Sequence, residues 1–557
     1  MPEPRRDDPL HYPDRPAYNL LDERWIPVRW RDGRDGDVGL LELFRHAGEI
    51  EGIAESSPPA FVALHRVLVA TVQRAMVGAH GRFGVDERVQ WFEQGLPVQP
   101  VVDYLEHWRE RFWLFHPTQP FMQVAALRGP LPPKAPQRFG PVSSADQGMA
   151  PQPEPKPLAR ILLERVCGNN PVMFDHSIDE APQPVAVPEA LRQLLGHLQF
   201  APGVPVKSLC KSGNDLSGPL FNSVAFVPIG RSIGPTLVLG LVPTTAIGAD
   251  VPSWEHSPLS IDRILARPVL ASGPCDRYTR LTRACLLLPD AHTGSVDRLL
   301  FAEGLALEED PMASDPMNAW KAGRTAPWVC VTFNEGRALW RDLGALLPDA
   351  SGAQARPAPI IESALRTLSG LDTEQPLDFV AAGIAAKPGQ DKKERGRIER
   401  HRLPQRMLTS PDVAEQLRAQ LRRAEQIFDE LHRAAVRLLA LTLPDPTSKD
   451  TIRRATDLAK SGPLAATFFS AAERSLPRLL DLVGDDDRRA HREWSAALLG
   501  AAEQAWQSLD ATLGASADAL RARALGEAGF HRVVRGLRDD GADATPSPNA
   551  ATQEMTP

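Results

Sequence analysis

The sequence is poor in the features that would assign a chemistry. No Walker loop or HExxH helix occurs along its 557 residues, which removes the usual signatures of nucleotide hydrolysis and zinc proteolysis. Its 5 cysteines, Cys167, Cys210, Cys275, Cys285 and Cys330, include no CxxC pair, so neither a zinc ribbon nor a disulfide framework is indicated. Ordinary buried thiols are expected. No apolar run reads as a membrane helix, and the opening MPEPRRDDPLHYPDRP has no apolar core behind its arginines, unlike a signal peptide. A cytoplasmic chain with no membrane contact and no cofactor is expected.

Proline, by contrast, is abundant. The 53 prolines are about twice the ordinary share and cluster between Pro117 and Pro359. They imply many short connections in the first two thirds and argue against long uninterrupted helices there. The length suggests about three or four structural units. Short β-like runs at Trp25 to Trp30, Val224 to Ile229, Thr236 to Val242 and Trp328 to Phe333 alternate with Pro/Gly loops. One helix is clear, Ala60 to Val77, with Pro58 and Pro59 at its start and Gly78 just past its end.

The texture changes near residue 407 and is helical almost to the end. Four helical regions are predicted: Pro411 to Leu441, Thr451 to Val483 broken by Gly462 and Pro463, Asp487 to Leu513, and Ser516 to Leu537. Their apolar stripes, including Leu520, Ala524, Leu525, Phe530 and Val533 in the last, are what an antiparallel bundle buries. The fold class is therefore α+β, with a mixed α/β N-terminal domain followed by a C-terminal four-helix bundle. The expected boundaries are a disordered extension (1–17), the mixed domain (18–406), the bundle (407–537) and a disordered tail (538–557).

Directly before the bundle lies GIAAKPGQDKKERGRIERHRLPQRM, Gly383 to Met407. Between Lys387 and Arg406 it has eight Lys or Arg against three acids, in a chain of formal net charge -7. Pro388, Gly389, Gly396 and Pro404 keep part of the run out of a uniform helix, so Gln390 would sit at a loop tip beside Lys392 and Lys393. Such a run either meets a polyanion or is a solvated linker between domains.

Several motifs recur in a known order: YNLLDERWIPVRW (Tyr18 to Trp30), ALHRVLVATVQRA, LFHPTQPFMQV (Leu114 to Val124), AFVPIGRSIGPTLVLGLVP (Ala225 to Pro243) and DPMNAW (Asp315 to Trp320). Together with the basic loop they span most of the chain, which resembles the CasA family, the large subunit of the type I-E CRISPR Cascade surveillance complex. The resemblance implies a non-enzymatic subunit near the crRNA 5′ handle, in contact with backbone, small and crRNA-processing subunits. It also implies recognition of the target-flanking motif (PAM) in double-stranded DNA, initiation of strand separation and recruitment of a helicase-nuclease.

Residue roles follow from the resemblance where motifs align. A wedge glutamine on a β-hairpin matches KPGQDKK, making Gln390 the wedge and Lys392 and Lys393 its DNA-backbone contacts. A glycine-rich minor-groove loop matches APGVPVKSLCKSGNDLSGP, with Gly203 at the close approach and Lys207 and Lys211 on phosphates. A loop touching the crRNA handle and neighbouring subunits matches VCGNNPVMFDHSIDEAP, pointing to Asn169, Asn170 and Phe174. A lysine finger of some relatives has no counterpart in PDAHTGSVDR, where Arg298 is the nearest substitute. Two further readings stay open: a metal-dependent hydrolase or nuclease using Asp175, His176, Asp179 and Glu180, and a pure scaffold subunit. His116, in HPTQPFMQ, reads as a packed or capping histidine rather than a catalytic one.

Overall fold

The computed structural model describes residues 12–130, 154–162, 182–203, 209, 217–243, 248–290, 293–309, 314–323, 326–334, 336–386 and 393–543. The chain forms two compact units, Met1–Glu335 with Pro357–Arg402, and Gly336–Arg356 with Leu403–Pro557. The division differs from the composition boundary: Gly336–Arg356 goes with the second unit although it precedes the helical texture.

In the first unit, β1 (Ile26–Trp30) lies between β2 (Asp35–Val38) and β3 (Ile50–Ile53), with Val28 opposite Gly36 and Ile53. Helix α1 (Pro58–His80) follows, with prolines in its first turn. It runs past Gly78, and Gly81, at φ +71°, ends it instead. This helix is long and apolar enough to cross a membrane, contrary to the sequence expectation, which was misled by the polar residues His65, Arg66, Gln73 and Arg74 interrupting it. It is nevertheless a core helix, since 89% of its most apolar window is buried inside the protein. Helix α2 (Val187–Phe200) packs on it closely at Gly196, where a Cβ would lie 2.9 Å from the Ala60 backbone nitrogen.

Strand β4 (Val224–Ile229) leads into α3 (Ile233–Gly240). The β-like reading of Thr236 to Val242 is thus corrected. Every residue of α3 is buried, so its apolar run carries no periodicity to separate helix from strand, and Ser232 and Pro235 open a helix instead. Strands β5 (Arg283–Pro289) and β6 (Ser295–Glu303) form an antiparallel pair. Finally β7 (Leu377–Ala386) pairs with β4 on one side and β8 (Lys393–Leu403) on the other, leaving β8 at the sheet edge.

A polar knot ties this unit together. The Arg66 guanidinium donates to Asp315 at 2.5 Å and to Gln199 at 2.8 Å, and lies 4.7 Å above the Tyr278 ring. Gln199 in turn donates to the Tyr278 carbonyl. Asp315 also accepts from the Met317 amide at 3.0 Å, and the Met317 carbonyl accepts from Phe226 in β4. The DPMNAW motif therefore serves packing.

The second unit contains α4 (Pro411–Leu441), α5 (Lys449–Ser461), α6 (Leu464–Glu473), α7 (Leu476–Leu482), α8 (Asp487–Asp510) and α9 (Ala517–Asp543). Ser410, Ser448, Asp486 and Ser516 cap α4, α5, α8 and α9 by accepting backbone N–H groups. In the bundle core Phe428 meets Phe469 at a tilt, 4.7 Å apart, Trp506 stacks on Phe530 at 4.7 Å, and Trp494 donates to the Gln420 carbonyl at 3.0 Å. The predicted stripe of the last helix is rotated. Leu520 and Leu525 are exposed, each at 58%, while Ala519, Ala522, Val533 and Leu537 are buried. The cause is Gly526, which lies against the Leu438 side chain of α4 and brings a face of small residues inward. The helix also continues to Asp543, into the region read as tail.

Within this unit, Leu339–Leu346 forms a 3-10 stretch that docks on α4. Trp340 meets Trp494 edge-on at 6.2 Å, and Arg341 makes a two-pronged ion pair with Glu425, both bonds 2.6 Å. Arg418 donates to the carbonyls of Gly344, Leu347 and Pro348 at 3.2, 2.7 and 3.0 Å. Burial pulls its affinity for a proton below the ordinary arginine value, and the carboxylates of Asp349 and Glu415, the latter 3.5 Å away, offset part of that cost.

Candidate nucleic-acid interface

The basic run resolves into the second strand of a hairpin. Strands β7 and β8 are joined through 387–392, a connection short enough only for antiparallel neighbours. Gln390 and Lys392 fall in that connection, outside the described residues; Lys393 is the first residue of β8.

Along β8 the side chains alternate. Arg397 lies over the Phe333 ring at 5.2 Å and pairs with Glu399 at 2.6 Å, and His401 stacks on Phe379 at 5.5 Å. Ile398, Arg400 and Arg402 take the other face and are exposed. Arg402 is engaged by Asp378, with bonds of 2.6 and 2.7 Å, which raises its proton affinity further. Arg406, past the hairpin, donates to the carbonyls of Leu480, Asp481 and Val483 and so caps the C-terminal end of α7. The cations of the run are thus divided: Arg397, Arg402 and Arg406 have partners within the chain, while Arg400 projects outward.

The base of the predicted glycine-rich loop is clamped. Gly203 is half-buried and follows Pro202, whose carbonyl accepts from Arg283 at 2.6 Å, and the Gly218 amide closes the loop on the Ala201 carbonyl at 2.8 Å. Midway, the Leu209 amide donates to the buried Glu303 carboxylate at 2.8 Å. Lys207 and Lys211 lie outside the described residues. So do Asn169, Asn170 and Phe174, and the acidic cluster Asp175, His176, Asp179 and Glu180.

His116 accepts from the amides of Thr118 and Gln119 at 3.2 and 3.0 Å, a turn-capping role, and burial lowers its proton affinity. Arg298, in β6, lies 3.9 Å from Asp297. Burial raises the thiols of Cys285 and Cys330 to about 12, which leaves them as unreactive side chains. Among the described residues no three His, Cys, Asp or Glu side chains group as metal ligands. Sequence reasoning passed over Arg231 and Arg400, which line one cleft at the foot of the hairpin. Arg231 sits in AFVPIGRSIGP, read only as a family motif, and its position beside β8 is a long-range contact that no local pattern encodes.

Comparison with known proteins agrees with this architecture over nearly the whole chain. The profile of the family described as CRISPR-associated protein Cse1 matches residues 19–505. CRISPR-associated protein CasA/Cse1 of Thermus thermophilus is 30% identical over 533 residues, 94% of this chain and 98% of that protein. A solved structure of Thermus thermophilus CasA (Cse1) superposes with a TM-score of 0.76 at 28% identity, covering 93% of this chain and 99% of that one. The same fold occurs in a chain of a CRISPR RNA-guided surveillance complex, at 19% identity and a TM-score of 0.69, covering 94% of this chain and 100% of that one. The chain thus belongs to the CRISPR-associated Cse1 family, the CasA large subunit of type I-E Cascade.

Proposed function

We propose that this chain reads the PAM in double-stranded DNA for a cytoplasmic crRNA-guided complex, helps open the duplex for R-loop formation, and recruits the helicase-nuclease, with no catalysis of its own. The observation that carries the reading is the β7–β8 hairpin, whose connection contains Gln390 and Lys392 and whose root is held by Asp378, Phe333 and Phe379. A rigid root lets a tip residue press on a base step without the hairpin giving way. Gln390 occupies the stacking space of a displaced pair, offsetting part of an unstacking cost of a few kcal/mol per step. Lys392 and Lys393 hold the parted backbone by charge.

The clamped loop supplies the recognition. Gly203 admits the minor-groove edge, where the pattern of donors and acceptors is degenerate and a loose PAM preference follows, and Lys207 and Lys211 meet phosphates. Asn169, Asn170 and Phe174 contact the crRNA handle or a neighbouring subunit. The test is target-duplex binding by the reconstituted complex with and without this chain, on intact and scrambled PAM, repeated with Gln390→Ala and Lys392→Ala. PAM-dependent binding and strand opening that need the chain and weaken in the variants support the reading. Equal binding without the chain overturns it.

A further inference from the structure

A cleft of about 760 Å³ opens at the foot of the hairpin, within the range of ligand-binding sites. One wall is the outward face of β8, with Ile398 and Arg400. The opposite wall is an unbroken run, Glu51 to Ser56, which begins in β3 and continues beyond it. Consecutive residues of a strand point to opposite faces, so a wall built from an unbroken run is met by its backbone edge rather than by one face. β3 is the last strand of its sheet, and no other described strand pairs with its outer side. Phe61 and Ile233, both buried, lie beneath the space between the walls, whose lining mixes polar and apolar groups.

Two further observations identify the occupant. Ile398 is 39% exposed, an aliphatic side chain standing open between cations. The charges are mostly settled within the chain, Arg29 with Asp35, Arg402 with Asp378, and Arg192 with Glu55, and three carboxylates line the walls. A phosphate backbone would gain nothing from Ile398. A polypeptide gains from both edge and floor.

We propose that this cleft binds an extended segment of a partner protein, which adds as a fourth strand to β3. Its backbone pairs with the open edge, an aliphatic residue packs on Ile398 and the floor, and an acidic residue faces Arg400 and Arg231. This site is separate from the hairpin tip and does not depend on how DNA is read.

The test selects a displayed library of short random peptides on the immobilised full-length chain, with Ile398→Asp and Arg400→Glu chains as comparisons. Both residues are exposed, so the variants are expected to fold, which a thermal melt checks. Enrichment of alternating aliphatic and acidic peptides, weakened roughly tenfold or more by Ile398→Asp, is the expected result. The best peptide should slow amide exchange across residues 51–55 and lose binding when alternate peptide nitrogens are methylated. No enrichment over the Ile398→Asp chain overturns the proposal. So does equal binding of the methylated peptide, or slowed exchange at 51–55 with a short oligothymidylate and with no peptide.

Discussion

Arg66 and Asp315 meet at 2.5 Å with side chains only 0% and 1% exposed, joining the middle of α1 to a motif 249 residues later. Removing one charge would strand the other without solvent. Arg66→Met or Asp315→Leu alone is therefore expected to destabilise the first unit by about 3–5 kcal/mol. Arg66→Met combined with Asp315→Leu should recover much of that loss. Denaturant unfolding of the four chains, read as a double-mutant cycle, measures it.

His65 gives the same unit a pH dependence. Its ring is buried 2.8 Å from the Phe61 carbonyl, and burial pulls its pKa from 6.5 to about 4. The folded state keeps the ring neutral while the unfolded chain protonates near the ordinary value. Its contribution is full above about pH 6.5 and is lost as pH falls towards 4, by on the order of 3 kcal/mol. His65→Gln should flatten the stability profile between pH 7 and 5 relative to the native chain, measured by denaturant midpoints across that range.

Gly196→Ala opposes two effects of known sign. In a helix interior alanine ordinarily gains up to about 1 kcal/mol over glycine. Here its Cβ would sit 2.9 Å from the Ala60 nitrogen and 3.0 Å from the Pro59 carbonyl carbon, backbone atoms that cannot swing aside. Net destabilisation of about 1–3 kcal/mol is expected, and a rise in melting temperature would show that α1 and α2 can separate freely.

In the second unit, Arg418→Met should loosen Gly336–Arg356 selectively. Three carbonyls lose their donor, at a cost of about 1–3 kcal/mol for each one left without water. Amide exchange should quicken across 339–348 before the rest of the bundle.

For DNA, the proposed phosphate contact of Lys392 predicts a change in slope as well as strength. In the assembled complex, Lys392→Ala should reduce the dependence of log affinity on log salt by about 0.9 and weaken intact and scrambled PAM alike. Gln390→Ala should leave that slope unchanged and reduce strand opening.

The helices of the bundle were legible because apolar spacing is local: Ser410 and Ser448 sit where the caps were needed, and Gly462 breaks the second region. The burial of Leu520 and Leu525 was misread because small residues, Ala519, Ala522 and Gly526, form the inward face, and a pattern search weights large side chains. The strand read at Thr236 failed for want of periodicity. The family motifs located the hairpin; the distribution of its cations was not legible. Arg397 and Arg406 look equally free in sequence, and only the fold shows one over Phe333 and the other on helix carbonyls.

The path of the chain through its two units has a consequence for its synthesis. Gly336–Arg356 leaves the ribosome before any helix it belongs with, and Pro357–Arg402, made next, belongs to the first unit. Trp340 therefore waits for Phe469 of α6 and Trp494 of α8. A gene fragment starting at Leu403 would make the same surface permanent from the other side, leaving Phe469 and Trp494 without Trp340.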